Sequence, residues 1–356
     1  MKLLKLFLTY QLKSSQSPHK TRGFTLIELL VGLLLAFLII APLLGFLVNT
    51  MTTDRQEQAK ANSEQETQTA LGYIARDLDQ AIFVYDGWGL SANTQVVQNL
   101  PYVDAKHTPV LVFWKRYHYP KAIPTNNANC ATQPDNCNDA FAFSLVAYYL
   151  IDNSDCSNTK WSCTAQIGRV ELKDGVRLGG NYLPDYQPNQ GFVLFPTDAQ
   201  GSIEDQMNAW PGTTPPAYGA NTPKIEILLD YIDQTKIDQL QTQQEKDDLK
   251  ASCPTTVRDV PRPDVPNPPP GYIPTNYTYR QVPFNNDPTQ IRSSFYACVN
   301  GESTAAQVFI RGNALARLTP RTQAQTPKYT TGRSSYFPQA NIRVKGGGLL
   351  TNNNQS

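Results

Sequence analysis

A single carboxylate interrupts an otherwise uncharged apolar run near the N-terminus. Residues 24–48 are 25 in number, and Glu28 is the only charged residue among them. A carboxylate inside a membrane-spanning segment costs about 2.5–3.5 kcal/mol or more without a partner, so its presence indicates a function. If the chain is cut after Gly23, the new α-amine of Phe24 offers Glu28 of a neighbouring subunit a partner of opposite charge. Gly23, Phe24 and Glu28 are therefore the first candidates for chemistry.

The length of this run predicts a transmembrane helix, because about 20 apolar residues cross a bilayer. Residues 1–23 contain five Lys or Arg residues and no Asp or Glu. The positive-inside rule therefore predicts that residues 1–23 are cytoplasmic before cleavage and that the rest is exported. A secretory signal peptide fits poorly, because the run is too long and no small-residue cleavage site follows it. A plain single-pass anchor or an uncleaved signal is the simpler alternative.

The stretch from Lys20 to Val31, KTRGFTLIELLV, resembles the cleavage and methylation segment of type IV prepilins and type II secretion pseudopilins. The resemblance implies cleavage by a prepilin peptidase after Gly23, methylation of Phe24, and a role for Glu28 in filament assembly. It implies other pilins or pseudopilins as partners through the N-terminal helix. It places the chain in the inner (plasma) membrane as a single-pass protein, with a head in the periplasm or in an extracellular filament.

A weaker resemblance covers residues 73–81 and 308–317, with the sequences YIARDLDQA and VFIRGNALAR. They are similar to segments of cyanobacterial pseudopilins of hormogonium polysaccharide secretion, which implies a minor subunit that supports polysaccharide export and gliding motility. A type II secretion minor pseudopilin and a pilus-priming minor pilin are the alternatives of the same class. The alternative of another class is a membrane-tethered carbohydrate-binding module, with polysaccharide as a direct partner.

The sequence contains no pattern that predicts an enzyme. The motifs H-E-x-x-H, G-x-S-x-G, G-x-G-x-x-G and the P-loop are absent. His19 lies in the predicted leader, and His107 and His118 have no Cys or Glu at zinc spacing. The Asp- and Asn-rich runs 135–139 and 152–155 offer oxygen ligands for Ca²⁺, but neither matches a defined loop, so polar turns are the simpler interpretation. No catalytic residue, cofactor or metal site is predicted.

Two further residue types are interpreted as structural. Tryptophans can stack on sugar rings, but core packing is the commoner role of Trp88, Trp114, Trp161 and Trp210. The six cysteines include no C-x-x-C, so they indicate disulfides in an oxidising compartment. Six cysteines allow fifteen connectivities. The preferred pairing is local and joins Cys130 to Cys137, Cys156 to Cys163, and Cys253 to Cys298.

Elements that could position these residues follow from periodicity. Leu71, Ile74, Leu78 and Ile82 recur on one helical face, which predicts that the helix continues as a stem to residue 85. Residues 54–69 are polar, which predicts an exposed stretch of that helix. Pro42 and Gly45 predict a kinked or loosened segment.

The remainder of the chain reads as turns and short strands. β-Branched and aromatic runs bounded by Pro, Gly, Asn or Asp predict strands at 110–114, 141–151, 166–172, 191–195, 225–231, 294–299 and 307–311. The runs 141–151 and 166–172 would form a hairpin with a long loop. The polar segment 233–250 predicts an exposed helix. The expected fold is α+β, a long N-terminal helix packed on an antiparallel sheet with long irregular loops, as in type IV pilins.

The predicted organisation has five parts. They are a leader at 1–23, a transmembrane segment at 24–48, a stem helix at 49–85, a head at 86–345 and a disordered tail at 346–356. Within the head, residues 254–288 hold ten prolines and predict an extended excursion outside the packed core. The 31 basic and 30 acidic residues nearly balance, which argues against a nucleic-acid partner.

Overall fold

The computed structural model describes most of the chain. The described residues are 23, 25–91, 94–126, 128–157, 160–196, 202–254, 257–258, 276–277, 279–283, 293–300, 304–320 and 326–347. The chain divides into two compact units, Met1–Asp54 and Arg55–Ser356. The second unit is called the head below.

One long helix, α1, spans Leu26–Asp79. It is continuous through Pro42 and Gly45, so neither residue ends it. The predicted end at residue 85 is wrong, because Ala81–Val84 form strand β1 and pair with the next strand. Ile82 and Phe83 have the β-branched and aromatic side chains that suit a pleated sheet, and sheet pairing outweighs the helical spacing of Ile82.

The other elements are short helices and strands. The helices are α2 (Gln95–Asn99), α3 (Ile203–Asn208) and α4 (Gln243–Leu249). The longer strands are β2 (His107–Pro124), β3 (Cys137–Asp152), β4 (Ala165–Lys173), β7 (Glu226–Ile232), β11 (Phe295–Asn300), β12 (Ala305–Arg311) and β13 (Gln339–Lys345). The shorter ones are β5 (Arg177–Leu178), β6 (Asn181–Tyr182), β8 (Val257–Arg258), β9 (Asn276–Tyr277) and β10 (Arg280–Val282).

The first sheet of the head has the strand order β1-β2-β3-β4-β7, and its pairs are antiparallel. Trp114 of β2 lies opposite Leu145 of β3, and Leu145 lies opposite Leu172 of β4. The predicted hairpin of β3 and β4 is confirmed. Both strands run longer than predicted by a residue or more at each end, because polar end residues still complete the ladder.

The second sheet has the order β10-β11-β12-β13 and is also antiparallel. An isolated bridge between Ile232 and Gly312 connects β7 of the first sheet to the end of β12. The long helix followed by antiparallel sheets confirms the predicted α+β fold.

The core of the head lies between the C-terminal part of α1 and the sheets. Trp114 is fully buried, and its ring meets the edges of Phe195 at 5.0 Å and Trp210 at 6.2 Å between centroids. The predicted strand 191–195 is wrong, since these residues form a turn and irregular chain. Their aromatic side chains pack on the core without sheet pairing, which explains the strand-like composition.

Three other predictions are corrected in part. The segment 233–250 holds α4 and a 3₁₀ turn at Ile237–Gln239 instead of one helix, because Thr242 and Glu245 form a capping box that starts α4 late. Within the predicted excursion 254–288, β10 pairs with β11, so that portion belongs to a sheet. Residues 348–356 of the predicted tail lie outside the described residues, while Gly346 donates to the carbonyl of Thr304 at 3.0 Å.

Candidate functional site

The start of α1 is organised by Thr25. The Glu28 amide donates to Thr25 Oγ1 at 3.3 Å, and the Leu29 amide donates to the Thr25 carbonyl at 3.1 Å. The Thr25 hydroxyl therefore satisfies one of the amides that the first turn of a helix leaves without partners, and its carbonyl accepts the first intrahelical hydrogen bond. Gly23 is exposed, with no atom within 4 Å of where a Cβ would stand. Phe24 lies outside the described residues.

The N-terminal part of α1 exposes its apolar side chains. Every residue from 25 to 55 is exposed, including Leu26 at 83%, Phe37 at 70% and Phe46 at 73%. By length and composition this helix can cross a membrane, and none of its most apolar stretch is buried. Such a surface is unfavourable in water, so it must be covered by lipid or by other chains.

Glu28 is the exception on this surface. Among the described residues its carboxylate has no hydrogen bond or ion pair, although it lies in the first turn of α1. The positive end of the helix dipole favours a carboxylate there, but by only about 0.3–1 kcal/mol. That is less than the cost of an isolated charge in a membrane. Among the described residues of its own chain, Glu28 therefore has no charged partner that would offset this cost.

The C-terminal part of α1 behaves differently. Its buried residues form a stripe that comprises Ala59, Ser63, Thr67, Ala70, Leu71, Ile74, Asp77 and Leu78. The predicted face of Leu71, Ile74 and Leu78 is confirmed, but the exposed stretch predicted at 54–69 is wrong in part. A Cβ at Gly312 would stand 2.6 Å from Ser63 Oγ, so the chain approaches the helix closely where its side chains are small. A hydropathy pattern does not predict this contact, because the residues that form it are small and weakly apolar or polar.

Asp77 lies at the centre of a buried network of charged groups on the first sheet. Its carboxylate accepts hydrogen bonds from Lys115 Nζ at 2.8 Å, Arg169 Nε at 2.7 Å and Tyr148 Oη at 2.7 Å. Glu171 balances the second positive charge, with Arg169 at 2.9 Å and Lys115 at 3.3 Å. Strands β2, β3 and β4 each contribute to the cluster, so it fixes α1 to the middle of the sheet.

The pKa directions follow from burial and pairing. Burial raises the pKa of Asp77, but the hydrogen bond and charge of Arg169 and then those of Lys115 outweigh it, so the pKa lies below its ordinary value of 3.8. Burial likewise raises the pKa of Glu171, but the charges of Lys115 and Arg169 outweigh this effect, so the pKa lies below its ordinary value of 4.5. Both carboxylates therefore remain ionised at neutral pH.

A second buried pair connects the two sheets. Arg311 Nε donates to Asp233 Oδ2 at 2.9 Å, and both side chains are almost fully buried. The Asp233 amide donates to the Arg311 carbonyl at 3.1 Å. The segment 308–317, which carries the weaker family resemblance, therefore supplies core residues of the head.

The structure contains three disulfides, Cys130–Cys137, Cys156–Cys163 and Cys253–Cys298. These are the pairs that the sequence analysis preferred. The third bond joins residues 45 positions apart and attaches the start of the Pro-rich segment to β11. All three bonds lie within the head.

The other candidates show no clustering that would support chemistry. Among the described residues, no group of three or more His, Cys, Asp and Glu side chains could hold a metal ion. His107 pairs with Asp104 at 2.8 Å and His118 pairs with Asp139 at 3.0 Å, each at an exposed position. The first pair lies at the start of β2, and the second joins β2 to the neighbouring strand β3.

The four tryptophans divide into two kinds. Trp114 and Trp210 are fully buried and belong to the core. Trp88 is 61% exposed, but the Arg280 guanidinium lies 3.6 Å from its ring centroid. Trp161 is partly exposed and lines a groove in the head. Trp88 is not among the residues that line this groove, so the two exposed tryptophans, Trp88 and Trp161, do not share one aromatic surface.

Comparison with known proteins yields one match, and it falls on the start of α1. Residues 18–44 match the prokaryotic N-terminal methylation motif. The match contains Gly23, Phe24 and Glu28. No curated protein and no solved structure matches the chain.

The motif supports a type IV pilin-like or pseudopilin-like protein. It implies processing by a prepilin peptidase and assembly with other pilins, and with the apolar part of α1 it supports membrane anchoring. It favours a structural subunit.

Sequence reasoning missed the Asp77 network. The signal was present, because Asp77 lies three residues after Ile74 and seven after Ala70, on the face predicted to be apolar. A charged residue on that face, together with Arg169 and Glu171 inside a predicted strand, indicates a buried ion-pair cluster.

Proposed function

We propose that the chain is a low-copy minor pilin or pseudopilin of a type IV pilus-like or type II secretion-like filament. The observation that carries the proposal is the methylation motif at 18–44. It overlaps the start of a helix whose most apolar stretch is not buried by the described residues. A helix of this kind is stabilised by lipid before assembly and by neighbouring helices after it. The large head favours a position in low copy over a repeatedly stacked subunit.

The assembly mechanism assigns complementary roles to three residues. Gly23 is the residue after which the peptidase cuts, and Phe24 carries the new, methylated α-amine. Glu28 of the incoming or neighbouring subunit neutralises that amine within the membrane, which removes the cost of both charges. The support is that Glu28 has no partner among the described residues of its own chain.

The processing step is tested by N-terminal sequencing of the full chain recovered from membranes. We expect a sequence that begins at Phe24, with a methylated amine. Gly23→Leu should leave the precursor uncut, whereas Gly32→Leu, in the same helix and with no atom near an added Cβ, should be processed normally. An intact Met1, or a cut beyond residue 48, would contradict the proposal.

We further propose that the filament supports polysaccharide secretion and, through it, gliding motility. The support is the resemblance of residues 73–81 and 308–317, together with the absence of a catalytic motif, so the subunit would act on transport and not on synthesis. Deletion of the gene should abolish export while cells still make the polymer precursors. Loss of a secreted protein with normal polysaccharide would favour a type II secretion pseudopilin, and loss of pili alone would favour a priming minor pilin.

A soluble head exported through another signal decides between the classes of function. We expect it to fail to restore export, because it cannot enter a filament. Restoration by the soluble head would contradict a filament role and favour a carbohydrate-binding module.

A further inference from the structure

A groove of about 520 Å³ lies between residues 65–76 of α1 and residues 227–231 of β7. We call it the β7 groove. Both walls belong to the head. The groove is open to solvent, and its floor includes buried Ala70 and Leu229.

The position of β7 determines which groups line the groove. Five consecutive residues of β7 line it. Successive side chains of a strand point to opposite faces of a sheet, so a cavity that touches five in a row faces the backbone edge of the strand. β7 is the last strand of the first sheet, and β4 occupies its other edge. The groove is therefore bounded by a sheet edge, with main-chain donors and acceptors along it.

Among the described residues, only those near position 313 pair with this edge, and they do so at its end. The Asn313 amide donates to the Tyr231 carbonyl at 2.8 Å, and the Ile232–Gly312 bridge follows. The chain then leaves β7 for the 3₁₀ turn Leu315–Leu318. Among the described residues, the backbone of 227–230 has no hydrogen bonds beyond those to β4. The edge is thus capped at one end and open over a length of about four residues.

The charges along the groove favour an acidic occupant. Asp230 is already engaged by the Ser162 amide at 3.0 Å and by Ser162 Oγ at 2.6 Å. Glu66 already accepts from Arg317. By contrast, the exposed Arg76 side chain makes no hydrogen bond or ion pair among the described residues. Asp230 and Glu66 thus already have partners, while the positive charge of Arg76 on the helix side of the groove can bind an acidic group.

Arg317 supplies a second, independent observation. Its guanidinium lies 4.4 Å from the ring centroid of Tyr231, and its buried Nε has no hydrogen-bond partner among the described residues. A buried donor without a partner is costly, by about 1–3 kcal/mol. The wall of the groove therefore includes a second guanidinium, which has one donor left unsatisfied among the described residues.

We propose that the β7 groove receives an extended peptide segment of a neighbouring subunit, which adds to β7 as a further strand and places an acidic side chain against Arg76. Strand addition uses main-chain hydrogen bonds for affinity and side-chain contacts for specificity. An acidic saccharide would meet the same charge, but it has no row of amides and carbonyls at strand spacing to pair with residues 227–230. The inference rests on the proposed function, because it takes the neighbour from the same filament.

The test uses photo-crosslinking of the full-length chain in membranes of cells that make the complete set of subunits. A benzoylphenylalanine replaces Thr69, which is exposed and lines the groove, and in a separate variant replaces Leu33 in the apolar part of α1. We expect the Thr69 probe to crosslink to one segment of another subunit that contains Asp or Glu. Arg76→Glu should lower that yield by about tenfold, because it replaces attraction by repulsion.

Two controls make the outcome specific. Arg333→Glu, at an exposed position outside the groove, should leave the Thr69 yield unchanged. Hydrogen exchange of those amides of residues 227–230 that do not bond to β4 should be at least tenfold slower in the crosslinked complex than in the full chain alone in detergent.

The contradicting results are also distinct. Crosslinks to polysaccharide, crosslinks spread over unrelated segments, an Arg76→Glu yield equal to the wild-type yield, or unprotected amides at 227–230 would each overturn the strand-addition inference. If the Leu33 probe still crosslinks to other pilin-like subunits, the proposed function survives that failure. If the Leu33 probe also finds no partner subunit, the filament role fails and this inference fails with it.

Discussion

Two carboxylates on one helix illustrate how α1 changes its role along its length. Glu28 is exposed near the N-terminus of α1 and has no side-chain partner among the described residues. Asp77 is buried near the C-terminus and accepts hydrogen bonds from Lys115, Arg169 and Tyr148. The same chemical group is therefore left unpaired at one end and fully paired at the other.

The difference teaches where each part of the helix obtains its stability. The C-terminal part is held by the sheet of its own head, so its sequence can be polar and built of small residues. None of the described residues buries the apolar side chains of the N-terminal part, so lipid or other chains must cover them. The proposed function accordingly assigns folding to the C-terminal residues of the helix and assembly to its N-terminal residues.

The largest expected effect comes from removing Asp77. Asp77→Ala leaves Lys115 and Arg169 buried with only Glu171 to balance them, and breaking a buried ion network costs about 3–5 kcal/mol. We expect that loss in the free energy of unfolding of the full chain in detergent. All four tryptophans lie in the head, so their fluorescence reports its unfolding.

Asp79→Ala is the matched control for this prediction. Asp79 is exposed and lies on the same helix, so its removal should change the free energy of unfolding by no more than about 0.5 kcal/mol. Equal effects of the two substitutions would remove the distinction between the buried and exposed carboxylates.

A smaller effect tests the close approach to the small-residue face of α1. Gly312→Ala places a Cβ against Ser63 Oγ, and we expect it to destabilise the head by about 1–3 kcal/mol through overpacking. Gly72→Ala, in the same part of α1 but with no atom near an added Cβ, should instead stabilise by about 0.5–1 kcal/mol.

The sign of these two changes is the useful result, and chemical denaturation of each variant measures it. Adding Ser63→Ala to Gly312→Ala should recover part of the loss, because it removes the crowding hydroxyl. A Gly312→Ala variant as stable as the wild type would show that the approach of this loop to α1 is looser than described.

The smallest expected effect is the dependence of the stability of the head on pH, which is negligible near neutral pH and appears only in acid. Because the pKa values of Asp77 and Glu171 in the folded head lie below their ordinary values of 3.8 and 4.5, their stabilisation is complete above those values. It is lost as pH falls through the lowered pKa values, since the folded state must then take up protons that the unfolded state already binds. Denaturation midpoints should be level from pH 7 to about 5 and fall below about 4.

Asp77→Asn sharpens this prediction. It cannot titrate, so its stability should fall less steeply with acid than that of the wild type. A slope identical to the wild-type slope would show that other carboxylates dominate the acid response.

Much of this architecture follows from local patterns in the sequence. The apolar run with Glu28 predicts the exposed part of α1, and the spacing of Leu71, Ile74 and Leu78 predicts the packed face. Six of the seven predicted strands overlap strands of the two sheets. These features are local because hydropathy and turn residues determine them within a few positions.

What local patterns could not supply depends on contacts between distant residues. Ser63 is buried because Gly312 approaches it, and neither residue signals the other in the sequence. The run 191–195 has the composition of a strand but packs on Trp114 without pairing. The open edge of β7 depends on strand order, which composition does not determine. Cleavage at Gly23 and the pairing of Glu28 remain predictions that depend on other molecules.

The most direct test of the central claim is the substitution Glu28→Gln, with cleavage, stability of the head and crosslinking all measured on the same sample. The account predicts normal cleavage after Gly23, an unchanged free energy of unfolding of the head, and a loss of about tenfold or more in crosslinking between the α1 segments of neighbouring subunits, because the amine of Phe24 loses its counter-charge. Glu28→Asp, which keeps the charge on a shorter side chain, should retain part of the crosslinking. Unchanged crosslinking with Glu28→Gln, or a loss of head stability equal to that of Asp77→Ala, would contradict the division of folding and assembly along α1.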